Sequence, residues 1–321
     1  MTDWALRFAI LAAAVLLDRR FGEPDWLWRR VRHPVVVIGD VIGWFDRRRM
    51  FGENPVAAIA WGVVLLLVFG LAALLIGLLV GALPPIVRVA METIIVAILL
   101  AHRSLSDHVA AVGEALDRSL DEGRVALSMI VGRDVTALDE SDVRRSALES
   151  LAENASDGVV APAFWFAVAG VPGIVFYKAV NTADSMIGHR TPRHEFVGKA
   201  AARLDDVMNW VPARLTALLI WIIVRVRAEP QAAAGVRQAV LRDARNHRSP
   251  NAGWPEAAFA AALDLRFGGP RRYGDEVVNG ATLNTDGRRD VRDTDVLAGL
   301  RLFDRLGWLL LAVTGLLFVF L

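Results

Sequence analysis

Glu149-Ser-Leu-Ala-Glu153-Asn154-Ala-Ser-Asp157-Gly158 runs straight into the apolar stretch Val159-Val-Ala-Pro-Ala-Phe-Trp-Phe-Ala-Val-Ala-Gly170-Val-Pro172-Gly173-Ile-Val-Phe-Tyr-Lys178-Ala-Val180, and then into Asn181-Thr-Ala-Asp184-Ser-Met-Ile-Gly188. As a helix, the first ten residues stack Glu149, Glu153 and Asp157 on one face within roughly 12 Å of rise. Such a stripe either shares a divalent cation or polar substrate, or is a solvated face paired with Arg144 and Arg145. The apolar run is interrupted by Gly170-Val-Pro172-Gly173. One kinked spanning helix would carry Asn181 and Asp184 to the face opposite Glu153 and Asp157. Two half-helices in a re-entrant hairpin at about 159–180 would return them to the same side. Hydropathy fits both readings, and the chemistry of the polar flanks favours re-entry.

Composition sets the surroundings. With 321 residues, 55% hydrophobic content and ten tryptophans, the chain is too apolar for an ordinary soluble enzyme, and its mean hydropathy is +0.40. Its 22% charged residues are too many for a bare membrane bundle. A net charge of +1 offers no field for nucleic acid, and no nucleic-acid partner is expected. There is no cysteine, so any metal is held by oxygen or imidazole.

The apolar runs place candidate membrane helices at about 4–17, 55–80, 86–101, 159–180, 212–224 and 306–321, in one membrane-embedded domain over 1–321. The first run, with Asp3 ahead of it and Arg7 inside it, reads as a retained anchor and not a signal peptide. Arg88 and Glu92 lie one turn apart and are expected to pair. Trp210 and Trp221 suit an interfacial belt. Arg19, Arg20, Arg29, Arg30, Arg32, Arg47, Arg48 and Arg49 fall between the first two runs, whereas the turn from Gly81 to Pro85 has no cation, so the arginine side is cytoplasmic. The polar stretch from His102 to Ser156 returns there. Its periodicity is helical, with breaks at Gly132 and Asp139. Strand signals are weak. The expected class is all-α: a multi-pass helical integral membrane protein with cytoplasmic helical and loop segments, the bilayer being its first partner.

Other polar groupings admit two readings each. Asn181, Asp184 and Ser185 share a helical face near Lys178, as ligands or as caps. Arg203-Leu-Asp205-Asp206, followed by Asn209, Pro212 and Arg214, suits magnesium with phosphate, or an interfacial salt-bridge cluster. Ser249-Pro-Asn251-Ala-Gly-Trp-Pro-Glu256 and Gly268-Gly269-Pro270-Arg-Arg-Tyr273-Gly274 are dense in turn formers and read as ordered turns or binding loops. There is no GxxxxGK[ST], GxGxxG, HExxH or GxSxG pattern. The six histidines lack metal-ligand spacing. His33, His102 and His108 therefore read as structural or substrate-contacting.

These motifs, in the order Asp18, Gly22-Glu-Pro24, His33-Pro-Val-Val36, Ile38-Gly39, then Glu149 to Gly158, Asn181 to Gly188, Ala202 to Asp206 with Pro212 to Leu215, Ser249 to Glu256 and Gly268 to Gly274, resemble the CobD/CbiB family of cobalamin biosynthesis over about residues 18–275. The resemblance implies a bacterial or archaeal multi-pass cell-membrane enzyme of the adenosylcobinamide-phosphate synthase type, a ligase with its active site facing the cytoplasm. Its implied substrates are the corrinoid adenosylcobyric acid and (R)-1-aminopropan-2-ol or its O-phosphate, joined as an amide at the expense of ATP with magnesium. A homo-oligomer, or a complex with later enzymes of cobalamin assembly, is compatible with it.

Placed on the resemblance, Glu153, Asn154, Asp157, Asn181 and Asp184 are the candidate catalytic residues. Glu153, Asp157, Asp184, Asp205 and Asp206 are candidate magnesium ligands or a base for the amine. Lys178, Arg203 and Arg214 are candidates to hold phosphates, and Asn251, Gly269 and Tyr273 belong to loops over the corrinoid. The chain departs from the family pattern at Ala183, His189, His194, Val197 and Asp275, which puts aromatic substrate contacts in doubt but leaves every carboxylate, amide and arginine of the core motifs. Two other classes fit parts of the pattern: a multi-pass transporter, suggested by Arg88, Glu92 and the re-entrant segment, and a non-catalytic AmpE-like membrane sensor.

Overall fold

The computed structural model describes residues 3–48, 54–132, 134–189, 191, 193–227, 230–269, 271–273, 276–278 and 280–321, with backbone only at 25, 271–273 and 276–278. Arg49 lies outside the described residues. In chain order the elements are α1 (Asp3–Phe21), α2 (Asp25–Trp28), α3 (Pro34–Arg48), α4 (Pro55–Gly81), α5 (Pro85–Leu99), α6 (His102–Leu116), α7 (Leu120–Ser128), α8 (Glu140–Asn154), a π-helical turn (Ala155–Val160), α9 (Ala161–Ile187), α10 (Lys199–Met208), α11 (Trp210–Val226), α12 (Pro230–Asp243), α13 (Gly253–Ala262), β1 (Phe267–Gly268), β2 (Arg271–Tyr273), β3 (Glu276–Val278), β4 (Thr282–Leu283) and α14 (Asp293–Phe320).

The all-α expectation holds, and the chain is a multi-pass helical membrane protein. Four helical runs are long and apolar enough to cross a membrane: Pro55–Gly81, Pro85–Leu116, Glu140–Ile187 and Asp293–Phe320; α10 and α11 pass the same test together. Hydropathy located these helices but undercut their ends, because polar turns continue a helix beyond its apolar stretch. The run expected at 306–321 is the tail of α14, which starts at Asp293, and the run at 86–101 gives way to α6 after Leu100 and Ala101. α1 forms, but with Asp3, Arg7, Asp18, Arg19 and Arg20 it is not among the four. The glycine-rich segment after α13 adds two short antiparallel pairs, β1 with β4 and β2 with β3.

The chain forms two compact units: one of Met1–Ala101, Ala161–Asn209 and Leu311–Leu321, the other of His102–Val160 and Trp210–Leu310. In the first, α4 starts cleanly because Asn54 Oδ1 accepts from the amides of Val56 and Ala57 at 2.9 and 3.2 Å, with Pro55 at the first helical position. A core of Ile42, Phe45, Leu65, Leu66, Phe69, Tyr177, Val180 and Ile187 joins α3, α4 and α9. Arg88 and Glu92 pair at 2.7 Å, as their spacing requires.

The Gly170 break is a reversal. Gly170 has φ 63° and ψ −150°, a backbone that a side chain disfavours. A methyl group on Gly173 would lie 2.3 Å from the Trp165 carbonyl oxygen, although eight residues of straight helix span roughly 12 Å. The two arms also reach neighbouring residues of one partner: Trp165 Nε1 donates to Met208 O at 3.1 Å, and Tyr177 Oη donates to Asn209 Oδ1 at 2.9 Å. At the tip, Arg7 Nη1 donates to the carbonyls of Ala167 and Val168 at 3.1 and 2.8 Å, the acceptors that the end of the first arm leaves open. The second arm runs antiparallel to α4, with Gly77 against Pro172 and Gly70 against Phe176.

In the second unit, Asp139 caps α8 through the Asp142 amide at 2.8 Å, which explains the break expected there. Buried His102 stacks on Phe303 with ring centroids 4.3 Å apart, and His108 meets the Ser104 carbonyl. Both fit the structural reading.

Candidate active-site residues in the two units

The sequence-predicted residues fall into two sets. In the first unit, α10 carries Lys199, Arg203, Asp205 and Asp206 over ten residues and is not itself one of the four long apolar runs, passing that test only when joined to α11. It turns Asp205 inward, and both carboxylate oxygens are claimed: Asn181 Nδ2 donates to Oδ1 at 3.2 Å and Asn209 Nδ2 to Oδ2 at 3.0 Å. Tyr177 fixes the Asn209 amide from behind through its Oδ1. Burial pushes the Asp205 carboxyl up to about 7; the Asp184 charge adds to this, and the amides of Asn181 and Asn209 oppose it. Burial raises Asp206 as well, against the Arg203 guanidinium, which is 3.9 Å away.

Lys178 stands one helical turn before Asn181. It acts electrostatically on His33, whose imidazole burial holds below its ordinary value, with Glu23 pulling the other way. His33 also caps α3, its Nδ1 accepting from the Val35 amide at 3.2 Å. The unit thus gathers Glu23, His33 and Lys178, and separately Asn181, Asp184, Asp205, Asp206 and Asn209. Tyr177 and His33 were not foreseen as neighbours of these residues. Tyr177 sits one turn before Asn181 on the same face, and that was the available signal.

A raised Asp205 has a definite consequence for stability. Between the ordinary carboxylate value near 4 and about 7, the folded protein keeps a proton that the unfolded chain has lost, so stability falls as pH rises through this window and levels off above it. Thermal melts from pH 4 to 8 should show this fall in the wild type and a flatter profile in Asp205→Asn. A rise over that interval in the difference between the two would contradict it.

The second unit treats the acidic stripe unequally. Glu149 is buried and accepts from the Gly268 amide at 2.7 Å, so it anchors β1 to α8 and is no longer one of three equivalent carboxylates. Glu153 is exposed and Asp157 half-buried in the π-helical turn. Asn154 Nδ2 folds back onto the Ser150 carbonyl at 3.0 Å. Among the described residues no three of His, Asp and Glu are gathered to hold a metal ion. A nucleotide-borne magnesium ion takes only one or two carboxylates and keeps several waters, and the carboxylates of either unit fit that demand.

Arg214 lies between two indoles, its Cζ 4.3 Å from the Trp210 ring and 4.4 Å from the Trp254 ring. Nη1 donates to Trp210 O at 2.6 Å and to Asn251 Oδ1 at 3.2 Å, while Nη2 donates to Pro250 O at 3.4 Å. The guanidinium therefore ties α11 to the Ser249–Glu256 loop. Within that loop the Ser249 hydroxyl accepts from the amides of Asn251 and Ala252, and His247 lies 3.6 Å from Glu256. Lysine cannot reproduce a stacked fork, so Arg214→Lys should lower stability by about 1.5–3 kcal/mol, read as a drop in melting temperature. An unchanged melt would remove this role. Gly269, with φ 91°, donates its amide to Ala281 O at 3.0 Å. The Tyr273 backbone pairs with Glu276, and the Tyr273 side chain is outside the described residues.

The profile of the family described as CobD/Cbib protein matches residues 11–303. The chain is 48% identical to the cobalamin biosynthesis protein CobD of Brucella suis over 93% of both chains. It is 47% identical to that of Rhizobium meliloti over 92% of this chain and 91% of the relative, and 46% identical to that of Rhodobacter capsulatus over 92% and 93%. No solved structure matches the chain.

Proposed function

Because the chain belongs to the CobD/Cbib family of cobalamin biosynthesis proteins, we propose that it is the ligase that joins the propionate carboxylate of adenosylcobyric acid to the amine of (R)-1-aminopropan-2-ol or its O-phosphate, consuming ATP. The observation that carries the reading is the buried Asp205, clamped by Asn181 and Asn209 beside the charge of Asp184, with a carboxyl that titrates near neutrality. An amine arrives as an ammonium ion, so a base of this strength is what amide formation at neutral pH calls for.

Carboxylate and ammonium do not condense usefully in water, and the acid must first be activated. A carboxylate oxygen attacks the γ-phosphorus, the bond from that phosphorus to ADP breaks, and an acyl phosphate results. The amine nitrogen then attacks the acyl carbon, the carbon–oxygen bond to phosphate breaks, and inorganic phosphate leaves. One ammonium proton passes to Asp205 before attack, and the second leaves the new amide nitrogen with the departing phosphate. Lys178 and Arg203 hold the nucleotide phosphates. Asn181, and Asn154 in the second unit, hydrogen-bond substrate amides. The loops of Asn251, Gly269 and Tyr273 cover the corrinoid, with Arg214 setting the first of them. Asp184 and Asp206 are the magnesium ligands that the first unit offers, and Glu153 and Asp157 those that the second offers; magnesium when bound neutralises charge on the phosphates. The protein lies in the cell membrane with these groups on the cytoplasmic side.

The route is tested with adenosylcobyric acid labelled with 18O in its free carboxylate. Acyl-phosphate chemistry delivers one 18O into inorganic phosphate for each amide formed. Label in AMP, or label retained entirely in the corrinoid while product forms, would overturn the route.

A further inference from the structure

α3 has two faces. Ile42 and Phe45 are buried in the core with α4 and α9, and the Phe45 carbonyl accepts from Trp61 Nε1 at 3.1 Å. This sets α3 against the first turns of α4, at the end of the spans where α1 stops and α4 begins. The opposite face carries Val36, Val37, Asp40, Trp44, Arg47 and Arg48, all exposed. They form a stripe roughly 18 Å long, apolar at its start and cationic at its end.

The cations are arranged. Arg47 folds back along the helix so that a methyl group on Gly43 would meet its Nη1 at 3.2 Å. Arg48 Cζ lies 5.0 Å from the centre of the Trp44 ring. Two guanidinium groups thus lie side by side along one exposed face, Arg47 turned toward Gly43 and Arg48 over Trp44. The nearby carboxylates are engaged elsewhere: Asp46 is taken by Arg193 and by His194 Nε2, the latter at 3.2 Å, and Asp40 pairs with Arg32. Among the described residues no carboxylate pairs with Arg47 or Arg48.

We propose that this face binds one anionic phospholipid, with the phosphate between Arg47 and Arg48 and an acyl chain along Trp44, Val37 and Val36. Charge complementarity points to an anion, and the apolar half of the stripe to an anion with a hydrocarbon chain. A soluble phosphate would leave the valines and Trp44 uncovered, and a zwitterionic lipid would bring its own cation to the arginines. The inference does not depend on the reaction proposed above.

The test uses the full-length protein in neutral detergent, titrated with phosphatidylglycerol, with phosphatidylcholine of the same chains, or with inorganic phosphate. Melting temperature and retained lipid by native mass spectrometry are the readouts. Phosphatidylglycerol should raise the melting temperature and remain as a one-to-one adduct, an effect that weakens with salt. Arg47→Gln and Arg48→Gln should each cost roughly fivefold in apparent affinity, and the double variant should bind the two lipids alike. The double variant's lipid-free melt should match the wild type, because among the described residues these guanidiniums hold no carboxylate. Arg47→Lys/Arg48→Lys, which keeps the charge, should retain the preference for phosphatidylglycerol. Equal shifts with both lipids in the wild type, a shift reproduced by inorganic phosphate, or an undiminished preference in the glutamine double variant would each overturn the proposal.

Discussion

Asp184→Asn is expected to reduce amide formation by about 10²- to 10⁴-fold, the range for removing a group that handles charge or protons in a transition state, and to lower the Asp205 carboxyl from its raised value. The charge of Asp184 helps to push the neighbouring Asp205 carboxyl up, so its removal relieves repulsion in the folded state and brings the Asp205 value down. Asp205→Asn behaves differently. With two amide donors facing the side chain, an asparagine leaves one of them opposite its own NH2, at a cost of about 1–3 kcal/mol, and activity falls with stability. Turnover and melting temperature for the two variants separate a reaction centre from a packing motif. Near wild-type turnover in Asp184→Asn would remove it from the chemistry.

The hairpin carries the second large effect. A side chain at Gly170, with φ 63° and ψ −150°, costs about 1–2 kcal/mol. One at Gly173 meets the Trp165 carbonyl, an overpacking of about 1–3 kcal/mol. Gly170→Ala/Gly173→Ala should therefore lose about 2–5 kcal/mol, and the pairing of Trp165 and Tyr177 with Met208 and Asn209 should fail with it. The same reversal makes a claim about membrane sidedness. In this cysteine-free chain, single cysteines at the exposed positions Glu153 and Ser185 should both react with an impermeant reagent from the cytoplasmic face. Labelling of Ser185→Cys from the outside only would make the segment a full crossing.

Much of this fold is legible in the sequence. Long apolar runs name membrane helices because a bilayer leaves the backbone no other partner, and Gly170-Val-Pro-Gly173 marked the break. Local spacing forecast the Arg88–Glu92 pair and the break at Asp139. What spacing could not supply is the partner across the fold. Glu149 looked equivalent to Glu153 and Asp157, yet the amide of Gly268, 119 residues on, claims it. Asp205 reads from the sequence as a magnesium ligand or a base, and nothing nearby in the chain shows that an amide from α9 reaches one of its oxygens. Arg214 read as a phosphate clamp, and its fork is turned on Pro250 and Asn251. In each case the residue type was identified, and the tertiary contact that decides its role was not encoded nearby.

The most direct measurement incubates the purified protein with adenosylcobyric acid, magnesium-ATP and 15N-labelled aminopropanol or its O-phosphate, and follows the corrinoid by mass spectrometry. The account predicts a corrinoid heavier by the amine less one water, carrying the 15N, formed only when ATP is present. A corrinoid of unchanged mass with both amines, from protein that is folded and membrane-competent, would contradict it.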